Sequence, residues 1–156
     1  MLREENRADG FTAFVASSER GIRLALSAAF GSERGREAAA EALAYGWEHW
    51  DRIAVMGNPA GYLYRVGRDR ARRMSQSRNL ALAPVRAAGG DVWVEPGLPA
   101  ALAGLPERQR VAVALVHGHG WSMSQVAELL GVSKGTVQSY VERGLKRLRR
   151  DLGVEL

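Results

Sequence analysis

Hydrophobic and polar positions alternate with a helical period along most of the N-terminal half of this chain. From Phe11 to about Gln76, apolar side chains recur at spacings of three and four residues, as at Phe11, Phe14 and Val15. No stretch here shows the period of two that a half-buried strand requires. Breaks are expected at 31–35 and 57–59, where glycines and the sequence Gly-Asn-Pro interrupt the pattern. The pattern predicts three or four helices.

A second helical pattern fills the C-terminal third of the chain. A short helix is expected from about Pro99 to Leu102, a longer one at 107–117, and a final long one at 134–152. Pro106 suits the first turn of the middle helix, and the glycines at 118 and 120 end it.

The boundary before the final helix has the residues of a helix-turn-helix. Ser122 or Ser124 can cap the helix that precedes the turn, and Gly131 can adopt the left-handed conformation that ends it. Ser133 can then cap the final helix from Lys134 onward. The spacing indicates a DNA-binding unit.

These patterns predict an all-α protein of two helical modules joined by a flexible linker. The first module is expected at 1–76 and the second, with the helix-turn-helix, at 99–156. The segment between them, 77–98, contains prolines and glycines without a sustained period, which is typical of a tether.

Charge and composition narrow the function classes. The chain has 22 lysines and arginines against 17 acids, a net charge of +5, which favours a polyanionic partner. The absence of cysteine excludes disulfides and cysteine-ligated zinc, and the three histidines lack metal-ligand spacing. We therefore expect no enzyme activity, no cofactor and no metal.

No membrane segment is expected. The first ten residues are charged from the third position and lack the apolar stretch of a signal peptide, and the longest aliphatic run, 111–116, is too short to cross a bilayer. A cytoplasmic protein is the simplest prediction.

The final helix separates an apolar flank from a polar one. At 100° per residue, Val137, Val141 and Leu148 fall on one side and would hold the helix against the module. The other side carries groups that can contact base edges at its N-terminal end and phosphates further along. A solvated basic face is the alternative for an isolated helix, but the helix-turn-helix spacing favours DNA. The predicted contacts are Ser133, Lys134, Thr136, Gln138, Ser139, Arg143, Lys146 and Arg150.

A second basic helix follows the Gly-Asn-Pro sequence. It carries five arginines with Tyr62 and Tyr64, and cations interleaved with aromatic rings suit single-stranded nucleic acid. The apolar side chains Leu63 and Val66, and Tyr62 with them, are expected in the core, whereas nucleic-acid contact is favoured over simple solvation for the arginines.

Both modules resemble one family. The C-terminal module resembles region 4 of bacterial RNA polymerase sigma factors of the short extracytoplasmic-function (ECF) group. The resemblance lies in the segments LPERQR, VAELLGVSKGTVQSYVERGLKRLR and EPGLPAALAGLP. The N-terminal module resembles region 2 of the same group, in the segment GREAAAEALAYGWEHWDRI followed by MGNPAGYLYRVGRDRARR. The resemblance covers about Phe11 to Leu152.

The resemblance implies a factor that binds core RNA polymerase, recognises a two-part promoter and helps to melt it. Partners would be the polymerase, promoter DNA as duplex and as melted strand, and an anti-sigma factor. Polymerase contacts would lie at Glu37, Ala40 and Glu41, where Ala40 replaces a glutamine usual in the family. Gly57 and Asn58 would receive a flipped base of the minus-ten element, and the helix after them would hold the displaced strand through Arg65, Arg68, Asp69 and Arg72.

One alternative stays open. A sigma-like protein could act as a DNA-binding regulator, or occupy the polymerase or an anti-sigma factor, without initiating transcription. Ala40, and Asp69 in place of a frequent asparagine, are the residues that favour it.

Overall fold

A computed structural model describes residues 2–74 and 96–153, and it confirms the all-α prediction. Most of the predicted linker, residues 77–95, lies outside the described residues. The helices of the described ranges are α1 (Leu2–Phe30), α2 (Ser32–Glu48), α3 (Trp50–Ile53), α4 (Pro59–Arg73), α5 (Leu98–Ala103), α6 (Glu107–Val113), α7 (Met123–Leu130) and α8 (Lys134–Leu152). A π-helical turn at 114–118 continues α6.

The first four helices form an N-terminal unit, residues 2–74. Gly31 joins α1 to α2 with φ of 92°, a conformation that favours glycine. Helices α1 and α2 pack closely at Gly35, which has no side chain: a Cβ there would lie only 2.4 Å from the Cα of Ser27. The predicted break at 31–35 is therefore confined to Gly31, and Gly35 is a packing position within α2. Helix α4 lies across both, with Leu63 fully buried.

Helices α5 to α8 form a C-terminal unit, residues 96–153, which contains the predicted helix-turn-helix. Ser122 and Gln125 make a reciprocal capping box at the start of α7, and Gly131 ends α7 in the left-handed conformation with φ of 69°. The Ser133 hydroxyl accepts from the Thr136 amide at 3.1 Å and caps α8. Each of these boundary predictions is confirmed.

The two units share one hydrophobic core rather than standing apart. Ile22 and Leu26 of α1 belong to the same buried cluster as Val111 and Leu115 of the C-terminal unit. The Trp121 ring packs on α1 so closely that a Cβ at Gly21 would lie 2.7 Å from it. The relative position of the units is therefore set by packing of side chains, which determines which parts of each unit face solvent.

Two side chains differ from simple expectation. Trp50 is buried as a core residue should be, but Trp47 is 41% exposed and packs its ring on Phe11 with 5.4 Å between centroids. His119, expected in a solvated loop, is half-buried. Its pKa is lowered mainly by burial and secondly by the positive charge of Arg20.

Candidate nucleic-acid interface

Helix α8 presents the predicted DNA-binding residues on one open face. Val137, Val141 and Leu148 are buried beneath it. Above them, the predicted contacts lie in solvent except Thr136, which is half-buried. We name the set the α8 face: Ser133, Lys134, Thr136, Gln138, Ser139, Arg143, Lys146 and Arg150.

Local hydrogen bonds order the first turns of this face. Ser133 and Thr136 hold their hydroxyls 2.8 Å apart, while the Ser133 hydroxyl also caps the helix. The Gln138 side-chain amide donates to the Glu142 carboxylate at 3.3 Å. Such preorganised donors and acceptors at the N-terminal end of a helix suit contact with base edges in a major groove.

Helix α4 carries its predicted contacts on one side, at spacings of three and four residues, but not all of them are equally open. Arg65 and Asp69 are exposed, and Arg65 lines a small cavity with Arg108 and Tyr140 of the C-terminal unit. Asn58, Arg68 and Arg72 instead face that unit and bond to it. The predicted minus-ten set is therefore not brought together on a single open surface in this arrangement.

Asn58 has two structural roles at the start of α4. Its Oδ1 accepts from the Gly61 amide at 3.0 Å, which makes it the N-cap, and its Nδ2 donates to the Glu128 carbonyl of α7 at 2.6 Å. The neighbouring Gly57 is exposed, with open space where a Cβ would lie. The candidate base-receiving loop is thus tethered at Asn58 and open at Gly57.

Arg68 and Arg72 share one acid of the C-terminal unit. The Oε2 of Glu107 lies 2.8 Å from Arg68 Nη2 and 3.2 Å from Arg72 Nη2. Burial opposes the charge of Arg68, but its hydrogen bond to Glu107 and the attraction between the two raise the pKa of Arg68 overall. Both side chains of this pair are about four-fifths buried.

Tyr64, predicted beside the arginines as a ring for stacking, is in the core. It is 3% exposed, and burial, with the nearby Glu107 charge, raises the pKa of its hydroxyl. Its ring cannot receive a base in this arrangement. Tyr62 is half-buried, and its pKa is lowered by hydrogen bonds with Tyr45 and Arg52.

Two further groups of residues lie outside the predicted contacts. One is the exposed Arg52, which donates to the Tyr45 hydroxyl at 2.9 Å. Its guanidinium carbon lies 5.8 Å from the centroid of the Tyr62 ring, so a cation and a phenol are added next to α4. The other is Arg110 in the LPERQR sequence, which is only 7% exposed. No local periodicity distinguishes a buried arginine from a solvated one.

The three predicted polymerase contacts are exposed together. Glu37, Ala40 and Glu41 lie on the outer side of α2, whereas Ala38, Ala39 and Ala42 are buried. The described residues contain no cluster of three acids or histidines able to hold a metal, and no helix long and apolar enough to cross a membrane.

Comparison with known proteins identifies the C-terminal unit. A family model described as "Sigma-70, region 4" matches residues 97–148. The matched residues, 97–148, include α5, α6, α7 and most of α8. ECF RNA polymerase sigma factor SigM of Mycobacterium tuberculosis, from strains H37Rv and Erdman, is 47% identical over 53 residues, which cover 34% of this chain and 27% of SigM. The match spans about a quarter of the length of these curated relatives.

The fold of the sigma factor RpoE from Bartonella quintana, solved in complex with the anti-sigma factor NepR, matches almost the whole chain. The TM-score is 0.62 at 22% identity, over 94% of this chain and 98% of RpoE. The fold of this chain is thus similar to that of RpoE, and residues 97–148 within it match the sigma-70 region 4 family model. The resemblance found in the sequence is confirmed.

Proposed function

We propose that this protein is an ECF-type sigma factor that binds core RNA polymerase, recognises a two-part promoter and assists its melting. The observation that carries the proposal is the exposed α8 face on a domain that matches sigma-70 region 4. This face would bind the upstream promoter element as duplex, with base contacts near Ser139 and phosphate contacts toward Arg150. The chain would perform no covalent chemistry.

Helix α4 and the loop before it would bind the minus-ten element. Gly57 and Asn58 lie at the loop, and Arg65, Arg68, Asp69 and Arg72 follow on the helix. Capture of an extruded base offsets part of the unstacking cost of a few kcal/mol, so that recognition and opening of the duplex are coupled. Arg52, Tyr45 and Tyr62 extend the same surface with cations and rings.

Two protein partners are included in the proposal. Core RNA polymerase would contact the exposed side of α2 at Glu37, Ala40 and Glu41. An anti-sigma factor is the second, because RpoE of the same fold was solved with NepR bound. The alternative, a sigma-like protein that does not initiate transcription, rests on Ala40 and Asp69 alone and is not favoured.

Co-purification with core RNA polymerase, followed by transcription from promoters that require an open complex, tests the proposal. We expect the folded chain to bind the polymerase and to support initiation. A folded preparation that does neither would overturn the proposed function.

Asn58 provides a sharper test of the melting step. Asn58→Ala should leave duplex binding by the α8 face intact and reduce open-complex formation, measured by permanganate reactivity of unpaired thymines. Asn58→Asp is the matched control for the N-cap, because aspartate caps helices as well as asparagine does. Equal loss of duplex binding and opening in Asn58→Ala, with both retained in Asn58→Asp, would make Asn58 a structural residue only.

A further inference from the structure

Three residues proposed for the minus-ten element are occupied by the protein itself. Arg68 and Arg72 bond to Glu107, and Asn58 donates to the Glu128 carbonyl. Both partners, Glu107 and Glu128, belong to the C-terminal unit and lie 35 or more residues away along the chain. Arg65, three residues before Arg68 on the same side of α4, is exposed.

Glu107 supplies the same chemistry that a DNA phosphate would. One carboxylate oxygen accepts from two guanidinium groups at 2.8 and 3.2 Å, as a phosphate oxygen between two arginines would. While Glu107 is in place, a strand cannot bond to the Nη2 groups of Arg68 and Arg72 without displacing it. The carboxylate therefore competes with nucleic acid for the same donors.

Arg110 fixes Glu107 in that position. It lies one turn further along α6, and its guanidinium donates to the Ala28 carbonyl at 2.8 Å and the Ala29 carbonyl at 2.6 Å, near the C-terminal end of α1. A cation at this end of a helix is favoured by the helix dipole and by the unsatisfied carbonyls there. The same side chain also donates to the Leu105 carbonyl at 2.6 Å within the C-terminal unit.

The ion pair is not fully satisfied, so it can be displaced. Among the described residues, Arg68 Nε and Glu107 Oε1 are buried and have no hydrogen-bond partner. Buried polar atoms left in this state reduce the net gain from closing the contact. The α8 face takes no part in the contact and stays exposed.

We propose that the chain has a closed, self-masked form, in which Glu107 occupies the phosphate-binding arginines of α4 while the α8 face remains free for duplex DNA. Opening of the two units is then required before the minus-ten strand can bind. The inference rests on the proposed role of α4 in binding that strand.

Glu107→Gln tests the mask, because it removes the charge that holds both arginines and keeps the side-chain shape. The chain has no cysteine, so Thr12→Cys in α1 and Ser124→Cys in α7 can carry two dyes that report the distance between the units. We expect lower energy transfer and, with a dye-labelled mixed-sequence single-stranded oligonucleotide, binding at least about threefold tighter, because two cations become available to phosphates. Glu19→Gln is the control: it changes the net charge equally at a surface pair with Arg23.

Gly21→Leu opens the units without changing any charge. A Cβ at Gly21 would already lie 2.7 Å from the Trp121 ring, so leucine must displace it, and leucine is well tolerated within a helix such as α1. We expect this variant also to lower energy transfer and to tighten oligonucleotide binding.

Three outcomes would overturn the inference. Equal tightening by Glu19→Gln would show a general charge effect, and tightening by Glu107→Gln without a change in energy transfer would show that no opening occurs. Opening in both variants without tighter binding would show that the contact masks no nucleic-acid site. Failure of the proposed function is seen separately, as a wild-type chain that does not bind core polymerase.

Discussion

At the scale of single residues, the arginines of this chain have opposite roles according to where they lie. Arg143 is exposed on the α8 face, available to DNA. Arg110 is 7% exposed and uses its guanidinium to bond four backbone carbonyls, from α1 and from the segment before α6. Burial lowers the pKa of Arg110, but an arginine stays charged in proteins, so its carbonyl partners are essential.

Arg143→Ala should weaken binding of duplex promoter DNA. If the contact is to a phosphate, the slope of log affinity against log salt should shrink by about one unit, because one fewer counterion is released. A fluorescence titration at several salt concentrations measures both quantities. Arg36→Ala, which removes an exposed charge from α2, serves as the control, and an unchanged slope and affinity in Arg143→Ala would remove Arg143 from the site.

Arg110→Ala should lower the free energy of unfolding by about 2–4 kcal/mol, because carbonyls of α1 and of the α5–α6 segment lose their donor while still buried. Urea denaturation followed by circular dichroism measures the change. Arg108→Ala is the matched control. Arg108 is exposed and donates to the Tyr140 hydroxyl at 3.3 Å, so its loss should change stability by less than about 0.5 kcal/mol. Similar losses in both variants would contradict the proposed anchoring by Arg110.

At the scale of elements, the turn between α7 and α8 decides how the α8 face is presented. Gly131 ends α7 with positive φ, and Ser133 caps α8 two residues later. These two short-range devices direct the N-terminal end of α8 outward, where its amide groups and side chains can reach DNA. The π-helical turn after α6 and the capping box at Ser122 place α7 in the same local manner.

Two glycines four residues apart should respond oppositely to alanine. Gly131→Ala is expected to lower the free energy of unfolding by about 1 kcal/mol, because alanine is strained at φ of 69°. Gly135→Ala is expected to raise it by about 0.5 kcal/mol, since this position is helical and an added Cβ meets only the Ser133 hydroxyl at 3.9 Å. Thermal or urea unfolding measures both, and a loss in Gly135→Ala would mean that the first turn of α8 is packed more tightly than the structure shows.

At the scale of the whole molecule, packing between the units determines which candidate surfaces are open. The shared core joins α1 to α6, and Gly61 at the start of α4 meets the Leu129 backbone of α7, where a Cβ would lie 3.1 Å from the carbonyl oxygen. One face of α4 is covered as a result, whereas the α8 face and the outer side of α2 are not.

The shared core should make the wild-type chain unfold as one unit. Urea transitions followed by circular dichroism and by tryptophan fluorescence are expected to coincide. The double variant Glu107→Gln with Trp121→Ala removes the ion pairs and the ring that packs on α1, and its transitions should separate. Glu19→Gln with Trp47→Ala is a control that alters the N-terminal unit alone; separated transitions in the wild type would argue against a single cooperative core.

Much of the fold and part of the site could be predicted from the residues alone. The helix-turn-helix boundaries, the caps at Ser122 and Ser133, and the apolar flank of α8 all follow from periodicity and capping, which act over a few residues. The predicted contacts at 57–72 were found from residue type and family resemblance. Their availability to a ligand could not be predicted in this way.

The sequence by itself therefore determined the all-helical class, the boundary between α7 and α8 and the exposed face of α8. Only the tertiary structure decided that Arg68 and Arg72 are paired, that Tyr64 is buried and that Arg110 is an anchor. The physical reason is the range of the interactions. Caps and helical stripes join residues three or four apart, whereas the bond from Arg68 to Glu107 joins residues 39 apart, and the bond from Arg110 to Ala28 joins residues 82 apart. Such contacts exist only once two packed units have brought distant segments together.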